Sequence, residues 1–161
     1  MKSSQYFTRL NAVALVVPML LSMPVLGADM TSDDVFVNSG DVKWQDAPPS
    51  LPKGGKVAVL YGDPGKAGPF VMRLKAPAGY KIAPHWHPQA ENLTVISGTL
   101  FLGRDDTLDA SQAHGLKTGG FHYLPAKAHH YAFTKAPTIV QIHGDGPFDI
   151  TYIDPADNPE K

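Results

Sequence analysis

Apolar and polar positions alternate in short runs along most of this 161-residue chain, and Gly, Pro, Asn and Asp separate the runs. Side chains of a strand point to alternate faces, so such runs read as half-buried strands. The pattern predicts strands in "KVAVLYG" (56–62), "FVMRLKA" (70–76), "YKIAPHW" (80–86), "NLTVIS" (92–97), "TLFLGR" (99–104), "GFHYLP" (120–125), "HYAFT" (130–134), "TIVQIHG" (138–144) and "FDITYI" (148–153). The segment "DTLDASQA" (106–113) suits a short helical turn and lacks the length of a stable amphipathic helix. About nine or ten strands with turn signals between them imply an all-β single domain, a sandwich or a barrel. No internal repeat is present.

The two ends break this pattern. "LNAVALVVPMLLSMPVLGA" follows the charges of Lys2 and Arg9 and ends in small residues. A basic start, an apolar run and a small-residue exit predict a secretory signal peptide over residues 1–27. Pro18 and Pro24 and the small residues at its end argue against a retained membrane anchor. The expected location is therefore the periplasm or the medium. Residues 28–55 read as an extended N-terminal arm, in which Trp44 packs against the domain, and residues 155–161 as a loose tail.

Composition removes several function classes. Lys and Arg number 14 against 15 Asp and Glu, and loss of Lys2 and Arg9 with the leader deepens the acidic excess. No basic run exists, so no nucleic acid is expected as a partner. Cysteine is absent. Stability must come from the core, and any metal must be held by nitrogen and oxygen.

The candidate chemistry lies in "GYKIAPHWHPQAENLTVISG" (79–98). His85 and His87 share a strand face, whereas Trp86 points away. The turn after Pro88 returns the chain at Glu91, whose carboxylate can join the two imidazoles. A further ligand is expected from "AHHYAFT", where His129 and His130 face opposite sides, so that one of them can reach a given ion. His122 and His143 either line the cavity or satisfy a backbone carbonyl, Gln141 shares a face with His143 and can hydrogen-bond a ligand or bound water, and His114 reads as a loop residue. Tyr123, Tyr131 and Phe133 read as core filling.

The spacing of Gly79, five residues, His85, one residue, His87, three residues, Glu91, six residues and Gly98 resembles the first motif of the cupins. Gly119, Pro125 and His130 match the second motif in part, with Lys127 where a glycine is usual and Thr134 where an asparagine is usual. The resemblance covers residues 56–154 and implies a cupin jelly-roll (double-stranded β-helix) barrel. In its register His130, not His129, is the fourth ligand beside His85, His87 and Glu91. Within the cupins, residues 43–79 are similar to the cupin domains of zinc-binding anti-sigma factors.

The resemblance implies one divalent transition metal ion, Fe, Mn, Ni, Cu or Zn, and no organic cofactor. It implies dioxygenase or oxidoreductase chemistry on a small-molecule substrate, with Glu91 as a catalytic base. The other reading it allows is a non-catalytic metal- or ligand-binding module of the sensor type. It also allows a homodimer; strand parity turns Trp86 and Ile96 away from the metal, either toward such a contact or into packing between layers.

Overall fold

The computed structural model describes residues 34–161. The expected signal peptide over 1–27 and the start of the arm, residues 28–33, lie outside the described residues. Eleven strands follow in chain order. They are β1 (Gln45–Asp46), β2 (Lys56–Tyr61), β3 (Gly68–Ala76), β4 (Lys81–Trp86), β5 (Glu91–Ser97), β6 (Thr99–Gly103), β7 (His114–Lys117), β8 (Phe121–Leu124), β9 (His130–Thr134), β10 (Thr138–Gly146) and β11 (Thr151–Tyr152). The larger sheet has the order β1-β2-β3-β10-β5-β8, and the smaller has β11-β4-β9-β6-β7. Every pairing is antiparallel. This is the jelly-roll architecture that the strand pattern and motif spacing anticipated.

Period-two alternation does what it implies in the central strands. Leu93 and Val95 of β5, and Val140 and Ile142 of β10, turn inward and are buried. They meet Leu100 and Leu102 of β6 and Ala132 of β9 in one core. Each such side chain is worth about 1.5–3 kcal/mol by removal from water. In β9 all five residues are buried, because its outer face is covered as well. The Tyr131 hydroxyl donates to the Asp109 carbonyl, and Phe133 stacks on Phe101 at 5.0 Å.

Four readings of the sequence change here. The stretch 106–113 forms turns rather than a helical segment, and it is anchored by Tyr131. His114 is not a loop residue: it opens β7, which pairs with β6. "HGLK" has a single apolar side chain, so pairing with β6, not periodicity, makes it a strand. The expected strand 148–153 shrinks to Thr151–Tyr152, whose partners are Trp86 and His85. The tail is not loose throughout, since Asp154 caps a turn of 3-10 helix at Pro155–Asp157.

The described part of the arm is tied to the barrel. Tyr80 and Tyr152 donate their hydroxyl protons to the carbonyls of Pro52 and Ser50, both at 2.8 Å. Lys75 sits 5.2 Å over the Trp44 ring, which packs against the domain as anticipated. Among the described residues no helix is long and apolar enough to cross a membrane.

Gly98 shows why the motif closes on glycine. Its φ is +84°, and a Cβ there would lie 2.6 Å from the Pro137 carbonyl oxygen. The left-handed conformation alone costs a non-glycine residue roughly 1–2 kcal/mol, and the clash falls on backbone. Gly98→Ala is expected to lower stability by about 2–4 kcal/mol. Urea unfolding should show a reduced midpoint at unchanged slope.

Candidate metal centre

His85 reaches its position through an irregularity. The β4–β9 register runs Ile82↔Ala132 and then His85↔His130, three residues on one strand against two on the other. The extra residue is a bulge at Ala83–Pro84, where Pro84 has no amide proton to give to the ladder. Without it, strict alternation from the inward-facing Ile82 would send His85 to the outer face. With it, His85 points inward directly opposite His130, and His87 follows on the same side.

One nitrogen from each of His85, His87 and His130 lies within 4.8 Å of the others, and all three residues are buried. Their Nδ1 atoms are each committed. His85 Nδ1 lies 2.7 Å from the Ala83 carbonyl, His87 Nδ1 2.7 Å from the Asp149 carbonyl, and His130 Nδ1 3.1 Å from the Ala128 carbonyl. A carbonyl oxygen only accepts, so each Nδ1 must carry the proton and donate it. Each Nε2 is left with a free lone pair. Three such lone pairs on one point form a ligand set for a transition metal, already in the right tautomer. The residues present therefore fit a divalent ion of the borderline class.

Glu91 opens β5 opposite Leu124 and brings Oε2 to 3.6 Å from His130 Nε2 and 4.0 Å from His87 Nε2. It stands beside two of the imidazoles rather than within the mutual cluster of all three. Ring packing holds the remaining orientation. The His87 imidazole stacks on Phe148 at 4.1 Å and 17°, and Tyr152 lies 6.0 Å from the ring of His85. Phe148, Asp149 and Tyr152 escaped the sequence reading. The signal was only that "GPFD" (146–149) sits far along the chain from the motif it supports.

The other candidates fall elsewhere. His129 turns outward and pairs through Nδ1 with Asp106 at 2.5 Å. Gln141 and His143 share a face, as expected. Neither lines the cavity; Gln141 accepts from Arg73 Nε at 3.1 Å, and the Asn92 amide donates to the backbone carbonyl of His143. His122 Nδ1 is enclosed without a hydrogen-bond partner, and the residue does not line the cavity. Tyr131 and Phe133 fill the core, but Tyr123 is 55% exposed on β8 and does not.

Electrostatics follow from burial. Desolvation, followed by the charges of His130 and His87, drives His85 well below the usual imidazole range. Burial lowers His87 to about 4 and His130 to about 3. Burial raises the Glu91 carboxyl to about 7. The three imidazoles are therefore neutral at neutral pH and can bind a cation without first losing protons, whereas Glu91 must give up its proton to join them.

Lys127 departs from the usual glycine yet keeps its geometry. Its φ is +61°, in the left-handed region, and its amide donates to the His87 carbonyl at 2.8 Å. The turn thus links the β8–β9 loop to the ligand-bearing hairpin at a cost in backbone strain.

A model of the ChrR cupin-like domain family matches residues 32–149. The chain belongs to that family. It is a cupin. No curated protein matches its sequence. Among solved structures it is similar to a candidate acetylacetone dioxygenase from Methylibium petroleiphilum, with 20% identity and a TM-score of 0.61 over 78% of this chain and 85% of the other. It is also similar to the polyketide cyclase RemF from Streptomyces resistomycificus, with 16% identity and a TM-score of 0.64 over 78% and 89%. The anti-sigma factor ChrR complex with SigE from Rhodobacter sphaeroides aligns at 18% identity and a TM-score of 0.50 over 67% and 52%. At these identities the likeness concerns the fold of the cupin.

Two outcomes are expected. Lys127→Gly should stabilise this cupin by up to about 1 kcal/mol in chemical denaturation, and Lys127→Val should destabilise it by about 1–2 kcal/mol. The second concerns pH in metal-free protein. The three histidines have depressed folded pKa values, so their contribution is present above the unfolded value of 6.5 and is lost as pH falls toward about 4 and 3. Glu91 has the opposite sign: its contribution is present below 4.5 and lost as pH rises through about 7. The melting temperature in chelator should therefore climb from pH 4.5 to 6.5, and Glu91→Gln should make that climb steeper. A pH-independent melting temperature would contradict both assignments.

Proposed function

We propose that this cupin is an exported, metal-dependent enzyme of the dioxygenase or oxidoreductase type that acts on a small organic molecule. One observation carries the reading. The three free imidazole nitrogens and Glu91 do not form a sealed knot but border a cavity of about 770 Å³. A structural ion needs closure, whereas a working ion needs open positions beside a space for substrate.

His85, His87 and His130 would hold the ion, and Glu91 would complete the set. The bound metal would supply Lewis acidity or oxygen activation. The chain's own contribution is orientation by the Nδ1 bonds, water exclusion by the apolar wall, and a carboxyl that can take or release a proton beside the substrate. The likeness to structures described as an acetylacetone dioxygenase and a polyketide cyclase supports oxygen-rich organic substrates. The apolar run after Lys2 and Arg9 supports export to the periplasm or medium, where the ion would be acquired.

Membership of the ChrR cupin-like family favours a second reading, a sensor module that binds metal or ligand without turnover. One set of measurements separates the two. The protein is loaded in turn with Fe(II), Mn(II), Ni(II), Cu(II) and Zn(II), and dioxygen uptake is followed with catechols, flavonols and diketones. Uptake with at least one redox metal, abolished in His85→Ala and retained in His129→Ala, is the expected result. Tight Zn(II) retention with no uptake under any redox metal would favour the sensor.

A further inference from the structure

Two apolar features of this chain have no cover within it, and they belong to opposite edges of the larger sheet. One is the start of the arm, where Val35, Phe36 and Val37 are 53%, 89% and 39% exposed. The other is the far edge. β8 pairs with β5 on one side, and among the described residues no strand pairs with its other side. Phe121 and Tyr123 of β8 are both 55% exposed, and Ile96 of β5 extends the patch. An open strand edge flanked by aromatic side chains is a template for a further strand. Valine and phenylalanine are residue types that suit a strand, so residues 35–37 have the composition of one.

The arm does not reach this edge within its own chain. It joins the barrel at Val42, which is buried just ahead of β1. The span from Val42 back to Phe36 is about 20 Å when fully extended, and the 3-10 turn at Ser39–Asp41 shortens it. β1 and β8 are the two outermost strands of the sheet, five inter-strand steps or about 24 Å apart. The edge of a second copy carries no such limit.

Charge favours the same pairing. Residues 29–41 hold four aspartates and no lysine or arginine. Residues 110–144, which include β7, β8 and β9, hold Lys117, Lys127 and Lys135 and no aspartate or glutamate. An acidic arm is repelled by another arm and drawn to the basic edge.

We propose that two copies of this chain exchange arms, residues 35–37 of each lying as an added strand along the open edge of the other's β8, against Phe121 and Tyr123. With one arm and one edge per chain, a two-fold arrangement covers both features of both copies at once. None of these residues belongs to the metal cluster, so zinc retention is an independent control.

Sedimentation velocity over a concentration series tests it. The expected result is a dimer whose dissociation constant rises at least about tenfold in Phe36→Asp and in Phe121→Ser, since each removes a buried aromatic side chain from the contact. Raising the salt from about 0.05 M to about 0.5 M should weaken association severalfold. Unchanged Zn(II) retention and far-ultraviolet circular dichroism would show both variants folded; if Phe121→Ser fails to fold, Tyr123→Lys takes its place. The chain has no cysteine of its own, so single cysteines report the contact without background. Val35→Cys protein mixed with Phe121→Cys or Tyr123→Cys protein should form the mixed disulfide with at least one of the two, about tenfold faster than with the exposed control Lys135→Cys. A wild-type chain that stays monomeric up to about 100 μM, or a dimer untouched by both Phe36→Asp and Phe121→Ser, would overturn the proposal. So would a dimer lost in Phe121→Ser and kept in Phe36→Asp, because the edge would then take something other than the arm.

Discussion

The pairing of His85 with His130 across β4 and β9 is the constraint on which this molecule's chemistry depends. It is set by a one-residue irregularity at Ala83–Pro84. A proline that cannot donate to the ladder sits where the ladder slips, and the slip turns the following histidine inward. Once that pair is opposed, the hairpin from β4 to β5 needs only its natural return to bring His87 and Glu91 alongside. The Lys127 amide and the Asp149 carbonyl then hold that hairpin from two other parts of the chain.

Burial makes this cluster costly without a cation. The imidazoles are held neutral and the carboxyl is held toward its protonated form by the same loss of water. The two effects pull the pH dependence of stability in opposite directions. A divalent ion takes the neutral nitrogens as they stand, and its charge offsets the loss of water that disfavours the ionised carboxylate. Backbone carbonyls have already assigned the protons within the imidazoles, so the site is organised before any ion arrives. The strain at Lys127 belongs to the same economy, because the left-handed turn is what delivers its amide to the His87 carbonyl.

Fold and function separate at this point. Membership of the ChrR cupin-like family accounts for the two sheets, the motif glycines and the ligand-bearing hairpin. The family resemblance says little about the interior, where hosts of one fold differ most. Here that interior is aliphatic and free of lysine and arginine among the described residues.

Much of this was legible in the order of residues. Period-two alternation identified the central strands, because one face of each must be buried. The hairpin spacing put His85, His87 and Glu91 forward, because a short hairpin leaves its side chains few places to go, and the family resemblance put His130 forward over His129. The short strand β7 was not legible, since "HGLK" carries too few apolar residues to announce itself. Nor were the outward turns of His143 and Gln141, which depend on the inward choice of Val140 and Ile142. The sequence by itself determined the strand content, the acidic, cysteine-free composition and the candidate ligands. Only the tertiary structure decided the bulge, the tautomers and the largely apolar lining of the cavity. Each of these depends on backbone carbonyls and side chains brought together from distant parts of the chain, and no local pattern records such meetings.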